Sequence, residues 1–169
     1  TDFMAYRNKV YVAFDGDEDM PYYRMMTAWA ADTKNDFELN NAHDLNKSYD
    51  SSSEESIKRQ LRVRFDNSKL FIILIGEHTK NQRKFVKWEI ETAIRLEIPI
   101  IAVNLNGKKK ADDLMPTLLI NNLSLVIPYK EAAIKYAMDH WPISDETHRK
   151  QNDNGQYFYK DKVYESLGI

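Results

Sequence analysis

An α/β fold with a mostly parallel β-sheet is what the sequence predicts, on three observations. Short β-branched or wholly apolar runs recur along the chain, at residues 9–14, 70–75, 98–103 and 123–127. They alternate with longer segments of helical periodicity, and 169 residues is the length of one compact domain. Strands that alternate with helices need crossover connections, which are right-handed and cover both faces of the sheet.

Taken in order, residues 9–14 (KVYVAF) read as a first strand, ended by the turn-forming, acidic Asp15-Gly-Asp-Glu-Asp19. Tyr22, Met25, Met26 and Trp29 then recur at helical spacing within residues 20–31. Residues 36–39 make a short second strand, followed by a polar stretch, 40–53, whose length suits a functional loop. Ser51 and Glu54 offer a capping box, and Ile57, Leu61 and Phe65 give the next helix one buried stripe. Lys58, Arg59, Arg62 and Arg64 on its other faces read as a solvated surface in preference to an anion-binding patch.

The continuous apolar run 70–75 is expected of a central strand covered on both faces, and Gly76 ends it. A third helix is predicted over 83–96. The fourth strand, 98–103, carries Pro99 near its start, where a missing N–H is tolerated. The basic run 108–110 reads as a solvated loop, 123–127 as a fifth strand and 131–139 as a final amphipathic helix. The domain is thus drawn at residues 5–140, with a C-terminal extension, 141–169, packed on it because its aromatics would otherwise be exposed.

Five strands suggest a flavodoxin-like three-layer sandwich of order 2-1-3-4-5. Ligands of such sheets bind beyond the carboxyl ends of the strands, at the switch point between strands 1 and 3. That rule nominates the loops after Phe14, Leu39 and Ile75.

Composition narrows the function. With 24 basic and 26 acidic side chains the net charge is -2, so neither DNA nor RNA is an expected partner. The absence of cysteine removes disulfides, thiolate metal sites and cysteine nucleophiles, and fits a cytoplasmic protein. The apolar runs are too short to span a membrane. Whether Thr1, Asp2 and Phe3 precede a natural start at Met4 is left open by the sequence.

One residue breaks the helical pattern of 84–96. On a wheel at about 100° per residue, Phe85, Val86, Ile90, Ala93, Ile94 and Leu96 share an arc of roughly 180°. Glu89 falls inside that arc. A carboxylate among core-facing positions must be hydrogen-bonded, paired with a cation or placed at the mouth of a pocket. The wheel leaves two readings equally open: a pocket carboxylate with a raised pKa, and a packing residue paired with Arg83 or a neighbouring strand. Glu97 also projects into the arc but lies where Pro99 is about to end the helix.

The segment Leu74-Ile-Gly-Glu-His-Thr79, followed by Arg83-Lys-Phe-Val-Lys-Trp-Glu-Ile90, resembles the strand-loop-helix of a TIR-like family once described as a domain of unknown function. That family includes the TIR proteins of Thoeris anti-phage systems. Its pattern is a strand ending in Ile-Gly, then a Thr, an Arg and an aromatic-Val-x-aromatic-Glu-Ile motif; Val10-Tyr-Val-Ala-Phe14 resembles its first strand. The resemblance covers residues 9–106. Phe85-Val86 stands where many TIR domains have Trp-Cys, and Asp15 where many carry Ser or another polar residue.

The resemblance implies that Glu89 is the catalytic carboxylate of an NAD⁺-consuming enzyme that cleaves the nicotinamide–ribose bond. NAD⁺ is then a substrate, no cofactor or metal is needed, and the product is ADP-ribose, a cyclic isomer or a conjugate. Supporting substrate-binding positions are expected at Phe14 and Asp15 after strand 1, at His43, Asp44 and Ser48 in the loop after strand 2, and at Arg83. Expected partners are NAD⁺, further TIR copies by self-association and a downstream effector that responds to the nucleotide. Trp88 is expected to pack against an adjoining helix or the extension. The alternative is a non-catalytic TIR-like interaction module. Two other folds fit less well: a dinucleotide or P-loop site lacks its glycine-rich turn, and a phosphoacceptor receiver lacks an Asp at the end of strand 3.

Overall fold

The computed structural model describes residues 9–32, 39–41, 53–82 and 84–169. Within them the order is β1 (Lys9–Ala13), α1 (Met20–Asp32), β2 (Leu39–Asn41), α2 (Glu54–Asp66), β3 (Ser68–Ile75), a 3₁₀ turn (Thr79–Asn81) and α3 (Val86–Arg95). Then follow β4 (Ile100–Asn104), α4 (Thr117–Ile120), β5 (Ser124–Pro128), α5 (Glu131–Lys150), β6 (Gln156–Phe158) and α6 (Asp161–Ser166). The sheet runs β2-β1-β3-β4-β5-β6 and every neighbouring pair is parallel.

The alternation of side chains along each strand divides the apolar residues between two faces. Val10, Val12, Phe14, Leu70, Ile72, Leu74, Ile101 and Val103 pack with Tyr23 and Met26 of α1 and with Ala133, Ala137 and Trp141 of α5. Tyr11, Ala13, Phe71, Ile73, Ile75, Ile100 and Ala102 pack with Ile57, Leu61 and Phe65 of α2, Val86, Ile90 and Ala93 of α3, and Leu119 of α4. The result is the expected three-layer arrangement, with the central strand β3 covered on both faces.

Several elements depart from expectation. The sheet has six strands among the described residues, because Gln156, Tyr157 and Phe158 pair in register with Ser124, Leu125 and Val126. The sequence hides this strand: three residues are too short to show a period. The final helix continues through Pro142 to Lys150 instead of stopping at Asp139. Proline normally breaks a helix, but Trp141 and Asp145 are both buried, so tertiary packing carries the helix past it. The N-cap of α2 is Ser53, whose Oγ accepts from Ser56 N at 3.1 Å; Ser51 lies outside the described residues. Helix α3 is shorter than expected and ends where Glu97 takes a left-handed φ of 57°. Glu97 therefore faces solvent and the Arg149 guanidinium, at 3.3 Å.

Among the described residues no helix is long and apolar enough to cross a membrane.

Candidate functional site

Helix α3 is placed by the turn that precedes it. Gly76 N–H donates to Thr79 Oγ1 at 2.8 Å, and the Thr79 hydroxyl donates to Leu74 C=O at 3.2 Å. This closes the chain tightly after β3 and turns it toward α3. The Ile-Gly-x-x-Thr pattern seen in the sequence is thus a turn lock, with Thr79 buried.

Glu89 sits in the first turn of α3, where the helix dipole favours negative charge, and is 2% exposed. The Tyr11 hydroxyl, reaching across from β1, donates to Glu89 Oε2. Tyr11 is itself fully buried and stacked on Phe65, with ring centroids 3.9 Å apart. Burial raises the Glu89 pKa to about 7, and the Tyr11 hydrogen bond opposes that rise. Burial also holds the Tyr11 hydroxyl well above its usual pKa, with Glu89 adding to the effect. Among the described residues Glu89 has no ion pair. Among the described residues its partner is thus a neutral donor on the neighbouring strand β1, while Arg83, the cation that the helical wheel suggested, lies outside the described residues. Sequence reasoning missed Tyr11, although there was a signal: a tyrosine on a strand with both faces covered needs a partner for its hydroxyl.

Two predictions follow from this pair. In Tyr11→Phe the buried carboxylate loses its donor, which should cost about 1–3 kcal/mol in urea unfolding at neutral pH. The second concerns pH. A carboxyl group raised from 4.5 to about 7 on folding binds its proton more tightly in the folded state. Its contribution is fully present below pH 4.5 and lost as pH rises through about 7, on the order of 3 kcal/mol in total. Unfolding curves across that window should show stability falling with pH, and Glu89→Gln should flatten the fall.

Trp88, one residue before Glu89, packs on α2 as expected. Its ring stands edge-on to Phe65 at 6.0 Å and lies under Lys58 and Arg62, at 5.7 and 5.8 Å. Those two cations also pair with Glu54 and Glu55, both at 2.9 Å. They are thus engaged within the domain.

The other expected positions are distributed as follows. Phe14 is buried on the face opposite Tyr11, stacked on Tyr23 at 4.9 Å. The alternation of β1 thus puts Phe14 and the Tyr11–Glu89 pair on different sides of the sheet. Asp15 is buried at the end of β1, where its Oδ1 accepts from Asp17 N at 3.2 Å. His43, Asp44, Ser48 and Arg83 lie outside the described residues. Asp19, which sequence reasoning passed over as part of a turn, is also buried. Burial, then Asp15 and Glu18, raise its pKa to about 6.

A cavity of about 390 Å³ opens beside α3, lined by the 3₁₀ turn, by Val86, Lys87 and Ile90, and by Pro116, Thr117 and Leu118. Its lining mixes apolar side chains (Val86, Ile90, Pro116, Leu118) with amides and lysines (Lys80, Asn81, Gln82, Lys87). Glu89 does not line it.

A parallel sheet wound in both directions, with a buried carboxylate opening the helix after its central strand, defines a TIR-like α/β domain. Residues 11–110 match the family model described as Thoeris protein ThsB, TIR-like domain, and the chain belongs to that family. The match spans β1 through the loop after β4, and so contains both Tyr11 and Glu89.

Proposed function

We propose that this domain consumes NAD⁺, cleaving the bond between nicotinamide and ribose to make an ADP-ribose-derived nucleotide that signals in bacterial antiviral defence. The observation that carries the reading is Glu89: a buried carboxylate with a raised pKa, held by Tyr11, inside the segment that matches the family. In such cleavage the C–N bond breaks with its electron pair leaving on the nicotinamide nitrogen, and the ribose carbon passes through an oxocarbenium-like state. An ionised carboxylate beside the ribose stabilises that positive charge and orients the hydroxyls. Water captures the cation to give ADP-ribose and a proton; a nucleophile within the nucleotide gives a cyclic isomer. Neither outcome needs a resident cofactor or metal. The partners in this reading are NAD⁺, other copies of the domain and a downstream effector in the cytoplasm, with no nucleic acid and no membrane.

The reading is tested by incubating the protein with NAD⁺, with and without extract from phage-infected cells, and following nicotinamide release. Release by wild type and none by Glu89→Gln is the expected result. Equal release by both would remove Glu89 from the reaction.

A second reading, a non-catalytic module that self-associates, is favoured by one observation. Helix α1 leaves Tyr22 and Met25 exposed, Met25 at 50%, beside the end of the sheet where Tyr129 donates to Tyr22 C=O at 2.7 Å. For that reading Met25→Asp should abolish assembly in sedimentation, while NAD⁺ stays intact in every sample.

A further inference from the structure

The cavity beside α3 is a preformed feature of the fold. Leu119 of α4 packs into the core with Val86 and Ile90, while its neighbour Leu118 is only half-buried and lines the cavity. The opening is held from both sides. The Thr79 hydroxyl locks the 3₁₀ turn to the end of β3, and Lys80 Nζ donates to Asp113 C=O, which ties that turn to the loop leading into α4. At about 390 Å³ the cavity falls in the usual range of small-molecule sites, about 300–1,000 Å³, and such sites are largely preformed.

Its lining is selective in charge. Val86 and Ile90, one helical turn apart on α3, give one apolar wall, and Pro116 and Leu118 give another. The polar part consists of donors: the ammonium groups of Lys80 and Lys87 and the amides of Asn81 and Gln82. Among the described residues no aspartate or glutamate lines the cavity. Lys87 and the Gln82 side chain have no hydrogen-bond or ion-pair partner among the described residues, and Lys80 keeps further donors beyond the one that Asp113 takes. A neutral ligand would leave the two ammonium groups unanswered, and an inorganic anion would leave the apolar walls wet. A second cavity, of about 290 Å³ near Pro99, shows the contrast: Asp66 and Glu97 stand there against Lys69, so it offers an anion no advantage.

We infer that the cavity between α3 and α4 binds a small organic anion, an apolar body bearing a phosphate or a carboxylate. The anionic group sits at Lys80 and Lys87, and the body lies against Val86, Ile90, Pro116 and Leu118. Neither Glu89 nor Tyr11 lines this site, so the inference stands or falls apart from the NAD⁺ reading.

The test titrates the nitrogen-15-labelled full chain at pH 7.5 and follows its amide resonances. The probes are 1-naphthyl phosphate and 1-naphthaleneacetate, with 1-naphthaleneacetamide as the neutral counterpart and inorganic phosphate as the head group alone. At least one anionic probe is expected to bind saturably, with a Kd of about 1 mM or tighter. The shifts should centre on residues 79–82, 86–90 and 117–118. That probe should bind at least about tenfold tighter than inorganic phosphate and about threefold tighter than the amide. Comparison of the two anions then tells which head group the site prefers. Lys87→Gln, at an exposed position, should weaken the anion about threefold and leave the amide within about twofold. Thr117→Trp, at the exposed rim, fills the cavity and should abolish binding of both. Four results overturn the inference: no saturable shift with either anion, an amide or inorganic phosphate that binds as tightly, shifts centred elsewhere, or anion binding unchanged in both variants.

Discussion

Glu89→Ala should lower the rate of nicotinamide release from NAD⁺ by about 10²–10³-fold or more, the usual cost of removing one group aimed at developing transition-state charge. The loss should appear in kcat, because the charge it answers develops only as the glycosidic bond breaks. Glu89→Gln is the sharper variant. It keeps the shape and the contact with the Tyr11 hydroxyl but removes the ionisable group, so a loss of the same size assigns the effect to charge. The pKa of about 7 adds a second signature. The ionised form is the active one in this scheme, so kcat/KM should rise with pH through about 7 and then level. Removing the Tyr11 donor, which holds the pKa down, should move that rise to higher pH in Tyr11→Phe. A rate independent of pH from 5 to 8 would contradict the assignment. Stability moves in the opposite sense over the same range, so the two profiles cannot be confused: folding weakens while activity grows.

The largest effect on stability is expected at Trp141. It is 2% exposed, belongs to the core between the sheet and α5, and lies within 6.1 Å of Tyr157 and 5.8 Å of His148, ring to ring. Its indole N–H has no hydrogen-bond partner among the described residues, so packing is the contribution that truncation removes. Trp141→Ala should cost about 3–5 kcal/mol in urea unfolding, by lost burial and the cavity left behind. Ile143, two residues on and 69% exposed, should cost no more than about 0.5 kcal/mol when changed to alanine. A small effect at Trp141 would mean that the second half of α5 and the strand that follows it are not part of the cooperative unit.

That contrast bears on what could be read from the chain. The apolar runs at 70–75 and 98–103 were legible because a strand covered on both faces has no reason to alternate, and the Ile57, Leu61 and Phe65 stripe because a helix on a sheet does. Glu89 was legible for the opposite reason, as a charge where the period demanded an apolar residue. The sixth strand was not legible. Residues 156–158 carry no period of their own, and they are extended because β5 offers an open edge to pair with. The full length of α5 was obscured by Pro142, whose local cost is outweighed by the burial of Trp141 beside it.

The sequence by itself determined the α/β class, the two-sided core and the carboxylate at position 89, because each of these is written as a hydrophobic period or a break in one. Only the tertiary structure decided what Glu89 touches. Its partner Tyr11 lies 78 positions away on β1, and no local pattern reports a hydrogen bond formed by bringing a strand and a helix together across a sheet. The same holds for Asp19 against Gly76: two turn residues in the sequence, brought into contact because β1 and β3 are neighbours and their loops leave the sheet at the same edge.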